Sequence, residues 1–588
     1  MPMTAPSPPL VLADSRRLTG PSLLLDRPGA VLDVNLAGRD PAEAVLAWET
    51  AVRRLLGALG WAREESRVRR FAGGASLAVT APLDALFTAT EVNEAALALA
   101  NAALTGGPAP DEAATVDRLR TLAAGEANPR LLALVAAARA RGVSCLVDTE
   151  AVSVGTGIGS VTWPLTALPA PDAVPWAEVR EVPVVLVTGC NGKTTTVRLL
   201  SAVLAAAGRV TGFCCSDTVT VAGERLDEGD WSGPGGARRV LRDRRTEVAV
   251  LETARGGILR RGLAVTRADL AIITNVAEDH FGEFGITDLA GLADAKFVVT
   301  RALGPRSRLV LNADDPVLVG RAHQATAPVV WFSLDPANPW VRAHVAEGGD
   351  AVVAEDTDIV LLGPGGRAVV APLASVPITL GGAARHNVAN VLGVAALATR
   401  LGLGPEAVAR GLAGFRGTAE QNPGRLNIFQ LGGATVVADF AHNPHGMAAL
   451  VALAQTLPAR RRLLLLGQAG DRDDTAIAEL ARSGWALRPD RVVLKEMDKY
   501  LRGRAAGEIT ALLREALLGL GVPHDRITRA DSEYEGVLAA LTWARPDDLL
   551  ILPVHSERDR VLGLLARLER EQWRPGAPLP APAAVDAP

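Results

Sequence analysis

Val182–Ala207 reads VPVVLVTGCNGKTTTVRLLSAVLAAA. The apolar, β-branched run Val184–Val187 has the composition of a buried strand. It breaks at Thr188-Gly189-Cys190-Asn191-Gly192-Lys193-Thr194-Thr195. Val197, Leu200, Val203 and Leu204 then recur at helical spacing, and Gly208 offers a stop. Strand, glycine-rich turn and helix start, in that order, describe a phosphate loop. Backbone N–H groups at the helix N-terminus can point at phosphate oxygens with no side chain in the way. In such a loop Lys193 neutralises the β- and γ-phosphates and the Thr194 hydroxyl holds Mg²⁺. The chain has four lysines, Lys193, Lys296, Lys495 and Lys499, against dozens of arginines. Writing Lys here argues for the compact ammonium that fits a phosphate cradle. The plain alternative is an ordinary tight turn between strand and helix.

At 588 residues the chain exceeds one hydrophobic core, and three or four domains are expected. A hydrophobic content of 48% suits large cores, and a net charge of −4 gives no sign of nucleic-acid binding. Cys145, Cys190, Cys214 and Cys215 lack metal-ligand spacing, so reduced thiols are expected. No signal peptide or membrane-length apolar run is legible, which predicts a cytoplasmic protein without membrane partners.

Residues 1–178 read as a small α/β domain. Asp40-Pro41 is an N-cap and N1 pair opening a helix to about Leu59. Further helical patterns cover 82–103, 111–124 and 129–141, with strands near 76–80 and 144–147. Gly155-Thr-Gly157-Ile-Gly159 lacks the strand-to-helix context of a dinucleotide loop and reads as a plain loop. Pro169, Pro171 and Pro175 predict a linker. Residues 179–418 alternate strands and helices, which implies a parallel sheet. Strand Glu247–Leu251 runs into Glu252, and strand Asp269–Ile273 into Thr274-Asn275 and then Glu278-Asp279-His280. Ligands in such sheets sit beyond the carboxyl ends of strands. Gly189, Glu252 and His280 are therefore expected in one crevice, where a carboxylate and an imidazole can hold Mg²⁺. Taken singly, Glu252 reads equally as an N-cap and His280 as a loop histidine. Lys296 lies on an amphipathic helix, residues 340–380 read as a short β segment, and Asn387 and Asn390 open an Ala-rich helix. Residues 419–575 alternate again, Rossmann-like, with polar clusters at Asp439–Asn443, Gly470–Arg472, Lys495–Asp498 and His555-Ser556. Residues 576–588 form a Pro/Ala tail predicted to be disordered.

TGCNGKTTT (188–196), LETARGG (251–257), TNVAEDH (274–280), LNADDP (311–316), RHNVAN (385–390), PGRL (423–426) and DFAHNP (439–444) occur in the order found in the Mur ligase superfamily, which residues 182–575 resemble. ETARGGILRRGL (252–263), GDR (470–472) and YLRGRAAGEI (500–509) are most similar to the carboxyl-terminal ligase half of cyanophycin synthetases. Residues 1–178, with ARARGVSC and SVGTGIGSVTWPL, faintly resemble the amino-terminal domain of those enzymes; the ATP-grasp domain that lies between the two parts in that family is not expected here, which implies one ligase centre where the family has two.

The resemblance implies a three-domain α/β fold and an ATP-dependent amide-bond ligase working through an acyl-phosphate. Gly189, Asn191, Gly192, Lys193 and Thr195 would cradle ATP. Thr194, Glu252, His280 and Lys296 would serve Mg²⁺, Lys296 either carbamylated or as a plain ammonium. Asn387 and Asn390 would approach adenine, and Arg425, Asp439 and His442 the phosphate and ribose side. Arg472, Arg502, Arg504, Asp471, Glu496 and Asp498 either grip a zwitterionic amine, arginine being the natural guess, or form a solvated salt-bridge network. The partners are small-molecule or peptide substrates, and a homodimer is the family habit. The rival function is a nucleotide-binding paralogue without turnover, acting as a partner or regulatory subunit.

Overall fold

The computed structural model describes residues 9–279 and 281–580. Strand Val184–Thr188 is buried along its length, and helix Lys193–Ala206 follows the glycine turn. Gly208 takes the left-handed conformation (φ +77°) just past the helix end. Among the described residues, eleven strands share one sheet with Val184–Thr188 in its interior. Val248–Glu252 and Ala268–Ile273 flank it in parallel. Thr211–Cys214 extends the parallel set on one side; Leu303–Asn312, Val329–Ser333 and Asp350–Glu355 extend it on the other. Antiparallel strands finish both edges. One face packs Val185, Val187, Leu200, Val203 and Val391; the other packs Leu186, Leu251, Ile273 and Val299. Burial on both faces is why these strands read as unbroken apolar runs. The region expected to be a short β segment begins instead with helix Pro339–Ala346, capped by Asn338, and its strands start at Asp350.

A second sheet of six described strands runs Asn427–Leu431, Ala434–Asp439, Asp548–Pro553, Arg461–Leu466, Arg491–Lys495, Ile527–Ala530. All pairs are parallel except the first. Its loops line one cleft with those of the larger sheet.

Residues 11–105 hold a four-stranded antiparallel sheet, Val11–Leu18, Gly29–Asn35, Gly74–Thr80 and Ser66–Phe71, packed with helices Pro41–Ala58 and Leu86–Thr105. Asp40 caps the first helix by accepting from the Ala42 N–H (3.0 Å). Trp48 is fully buried there, its indole donating to Asn93 (2.9 Å). Val11–Leu18 and Ser66–Phe71 were not legible as strands because VLADSRRL and SRVRRF intersperse arginines, with no apolar run. Gly157–Gly159 is a single 3₁₀ turn, as the loop reading expected. A Cβ at Gly159 would stand 2.5 Å from the Arg180 backbone. The proline-rich linker is a correction: Leu168, Val174 and Val179 are buried against Leu131 and Leu134, and Trp176 donates to the Pro171 carbonyl (2.8 Å). Prolines there stiffen a packed segment and do not free it. No described helix is long and apolar enough to cross a membrane.

Helix Pro405–Gly414 crosses helix Lys193–Ala206 at Gly411, where a Cβ would lie 2.6 Å from the Val203 Cα. Backbone cannot give way as a side chain can. Gly411→Ala is expected to lower stability by about 1–3 kcal/mol, read by chemical denaturation. An unchanged midpoint would show that the two helices slide apart freely.

Candidate functional site

The turn after Val184–Thr188 is wedged between neighbours. Gly189 has φ +144°, and a Cβ there would lie 1.9 Å from Thr274 Oγ1; at Gly192 (φ +85°) it would lie 2.3 Å from Asn390 Oδ1. Only glycine fits either place. Thr274 Oγ1 and Asn275 Nδ2 donate to the Asn191 carbonyl (2.6 and 3.0 Å), and Asn275 Oδ1 accepts from the Asn191 N–H (2.9 Å). The loop is thus pinned by the end of the neighbouring strand, as strand order requires.

A cleft of about 890 Å³ opens over this loop between the two sheets. Its lining brings together Asn191, Gly192, Lys193, Thr194 and Thr195 with Glu252, Asn387, Asn390, Arg425, Asp439 and His442. Gly189 and Lys296 lie behind the lining, and the placement of His280 lies outside the described residues.

Glu252 is buried at its strand end and accepts from Thr194 Oγ1 (2.9 Å) and the Ser216 N–H (3.4 Å). Burial pushes its carboxyl above the usual range, opposed by Lys193 and Thr194. Lys193 Nζ folds back to donate to the Cys190 carbonyl (2.9 Å). Lys296 is buried on helix Leu289–Phe297 and is no surface lysine. Burial holds its ammonium below the usual lysine range, with Cys190 and Asp279 opposing and Lys193 reinforcing. A depressed ammonium gives up its proton more readily, which favours the neutral amine that carbamylation requires and disfavours the plain-ammonium role.

Asn387 Nδ2 donates to the Ile378 carbonyl (3.0 Å) and its Oδ1 accepts from Asn390 (3.1 Å), so the two carboxamides hold one another at the cleft wall. Thr195 Oγ1 accepts from Asn422 Nδ2 (3.2 Å). Arg425 stacks on Phe440 (4.2 Å) and reaches Ser216 Oγ (3.5 Å), while Asp439 accepts from the Leu426 N–H (2.8 Å). His442 Nε2 lies 3.8 Å from Asp279, and Arg472 lies 3.7 Å from the same carboxylate.

The acidic and basic loops of the third domain divide. Arg504 donates to the Gly470 and Arg472 carbonyls and pairs with Asp474 and Glu508. Glu496 is buried and accepts from the Gly507 N–H (2.8 Å). Both hold loops together, which decides for the network reading; Arg502 and Asp498 are exposed. Arg472 and Asp471 pair (2.8 Å) beside Asp279.

Two cleft residues, Ser216 and His445, carried no signal in the sequence. Ser216 is a single polar residue in a loop and His445 lies in the first turn of helix Pro444–Thr456, and only their convergence on the cleft marks them. Lys495 is a further buried lysine, ion-paired with Glu533 and hydrogen-bonded to the Pro553 carbonyl (2.6 Å) and His555 Nδ1 (3.0 Å). His555 in turn lies against Phe440, under Arg425.

The raised Glu252 carboxyl has a consequence for stability. A carboxyl whose folded-state value exceeds its unfolded one favours the fold only in its protonated form. That contribution is complete below the unfolded value and fades as pH rises through the folded one. Glu252→Gln removes the charge but keeps an acceptor. The variant is expected to melt above the natural chain at pH 8 without nucleotide, with the gap narrowing towards pH 5. A gap that does not change with pH, measured by thermal denaturation, would remove burial as the cause.

The chain matches the Mur ligase middle domain over residues 187–398 and the Mur ligase glutamate ligase domain over 424–553. It is 38% identical over 337 residues to a cyanophycin synthetase of Synechocystis sp., covering 57% of this chain and 38% of that protein. It is 27% identical over 408 residues to the UDP-N-acetylmuramoyl-L-alanyl-D-glutamate–2,6-diaminopimelate ligase of Geobacter metallireducens, covering 65% of this chain and 76% of that protein. A solved structure of Escherichia coli FolC in complex with ADP is similar at 20% identity and a TM-score of 0.48, over 66% of this chain and 90% of that one. The chain spans about two-fifths of the length of the cyanophycin synthetases it resembles. With both of its ligase domains matched, the chain belongs to the Mur ligase superfamily.

Proposed function

We propose that the protein is an ATP-dependent carboxylate–amine ligase that works through an acyl-phosphate and releases ADP and phosphate. The observation that carries this reading is the cleft itself. It joins a glycine loop with no room for a Cβ, a buried carboxylate on a threonine hydroxyl, and the polar loops of a second sheet.

The residues fit ATP and Mg²⁺. Gly189 and Gly192 leave the loop backbone bare, and Lys193 has only a loop carbonyl to leave. Thr194 and Glu252 are hard oxygen donors, with His280 and Lys296 assigned to the same cation site. Among the described residues no three His, Cys, Asp or Glu side chains gather into a metal site of their own. Bound together, ATP and Mg²⁺ supply an activated γ-phosphoryl group and the charge to neutralise it.

The protein's part is positioning. Lys193 neutralises phosphate charge, and Lys296 either stabilises the acyl-phosphate as an ammonium or, carbamylated, offers oxygens to a cation. Arg425 on Phe440 and Asp439 hold the nucleotide from the third domain, with His442 beside them. The substrate carboxylate attacks the γ-phosphorus, the bond from that phosphorus to the bridging oxygen breaks, and ADP departs, leaving the acyl-phosphate. The amine then attacks the acyl carbon, phosphate departs, and the amine's extra proton passes to a base or to water. Water must be kept from the acyl-phosphate, which a cleft between two closing sheets provides. The finer reading takes arginine as the amine and an aspartyl side chain as the carboxylate, supported by similarity to cyanophycin synthetases. The enzyme is read as cytoplasmic.

Incubation with ATP, Mg²⁺, pooled amino acids and short aspartyl peptides is expected to give ADP and a ligated product seen by mass spectrometry. Lys193→Ala is expected to lose at least about 100-fold of that turnover, the scale of one lost charge-stabilising contact. ATP bound without product from any pool would favour the non-catalytic paralogue.

A further inference from the structure

Asn191, inside the phosphate loop, spends its side chain on the third domain. Its Oδ1 accepts from Asn443 Nδ2 (3.1 Å), and its Nδ2 lies 3.0 Å from His445 Nδ1. Gly446 leaves the room, since a Cβ there would stand 3.2 Å from Asn191 Oδ1. These contacts join residues more than 250 positions apart, across the cleft.

The direction of each hydrogen bond follows from one fixed point. Asn443 is the N-cap of helix Pro444–Thr456, and its Oδ1 accepts from the Gly446 N–H (2.8 Å). A backbone N–H only donates, so the Asn443 carboxamide cannot be reversed. Its Nδ2 therefore donates to Asn191 Oδ1, which turns Asn191 Nδ2 towards His445. That nitrogen also only donates, so His445 Nδ1 must offer a lone pair. Protonating Nδ1 would set two donors face to face. Flipping Asn191 would only move the clash to Asn443.

We propose that Asn443 and His445 form a latch that holds the third domain on the phosphate loop through Asn191, and that it closes only when His445 is neutral. Asp315, at the start of helix Pro316–Arg321, favours the imidazolium, and His386, at the start of helix Arg385–Arg400, is the neighbouring imidazole. Burial outweighs Asp315 and holds His445 below the usual histidine range, so the latch is closed at neutral pH. Asn443 and His445 are positioning residues: they bring Asp439, Phe440 and Arg425 over the loop. Their consequence for turnover rests on the ligase reading; the latch itself does not.

Asn443→Ser separates latch from cap. Serine caps a helix as asparagine does, but its short hydroxyl has no second group to reach Asn191. In the full chain without substrate, hydrogen exchange of segments 188–196 and 439–447 is expected to rise about two- to tenfold at pH 8, the range of one hydrogen bond. Segment 29–35 should not change. The natural chain is expected to lose the same protection below pH 6 after correction for intrinsic rates, whereas His445→Gln, an acceptor that does not titrate, keeps it. In the ligase assay Asn443→Ser should lower kcat with little change in KM for ATP. The acid limb of the natural kcat profile should flatten in His445→Gln. Unchanged exchange in Asn443→Ser overturns the latch, and so does equal loss with falling pH in His445→Gln. The expected exchange pattern in a chain with no turnover sustains the latch and overturns the ligase reading alone.

Discussion

The structure depends on a loop that has no space for side chains on its inner side. Gly189 is pressed against Thr274 and Gly192 against Asn390, each at a distance that excludes a Cβ. The end of one neighbouring strand and one helix thereby dictate the loop's path, and Asn275 grips its backbone from both sides. A loop held this way needs no ligand to take its shape. Its ordering entropy is met in folding and not in binding, which is what preorganisation means for a phosphate site.

Around that loop the charges are set against their surroundings. Glu252 is buried at the expense of its ionised form, and Lys296 likewise. Lys193 leans on the Cys190 carbonyl and, among the described residues, takes part in no ion pair. Each group has a partial substitute for what it lacks: a threonine hydroxyl, a backbone carbonyl, another residue's distant charge. A polyanion with a divalent cation would relieve all three at once. Desolvation that destabilises the empty site is then differential binding energy for the filled one.

Much of this was legible because strands and their ends follow periodicity. The order Gly189, Glu252, Thr274 along the chain became proximity in space through the parallel pairing of three strands. Lysine scarcity was informative for a physical reason. Lys296 and Lys495 are buried, and Lys495 serves a carboxylate, a carbonyl and an imidazole at once, a crowding that an ammonium tolerates and a planar guanidinium does not. What stayed hidden was what periodicity does not encode. The strands Val11–Leu18 and Ser66–Phe71 carry arginines that are used at a domain contact: Arg16 donates to the Leu259 carbonyl and Arg69 to the Gly285 carbonyl. For Glu496 and Arg504 the sequence left substrate binding and a salt-bridge network equally open, because a charged loop has the same composition whether it binds a ligand or itself. Asn443 looked like a cap, and it is one, but its second hydrogen bond crosses to another domain.

The two interfaces of the central sheet differ in kind, and the difference assigns motion. The first domain is joined by main-chain hydrogen bonds, Thr19 N–H to the Arg261 carbonyl (2.7 Å) and Leu263 N–H to the Pro21 carbonyl (2.7 Å), and by glycines buried under its residues, Gly285 beneath Phe71 and Gly262 against Gly20. Breaking that contact would strand backbone groups without partners, which is costly. The third domain is joined at the cleft by side chains: Asn191 to Asn443, Thr195 to Asn422, Ser216 to Arg425, and Asp217 to Arg558. Each of these joins rotatable side chains, some of them buried in the closed cleft, that can turn to water as the cleft opens without stranding backbone groups. Substrates enter and products leave where contacts are exchangeable. The first domain therefore belongs to the rigid wall of the site, holding the helices that follow Glu252 and carry Lys296, and the third domain is the part built to lift.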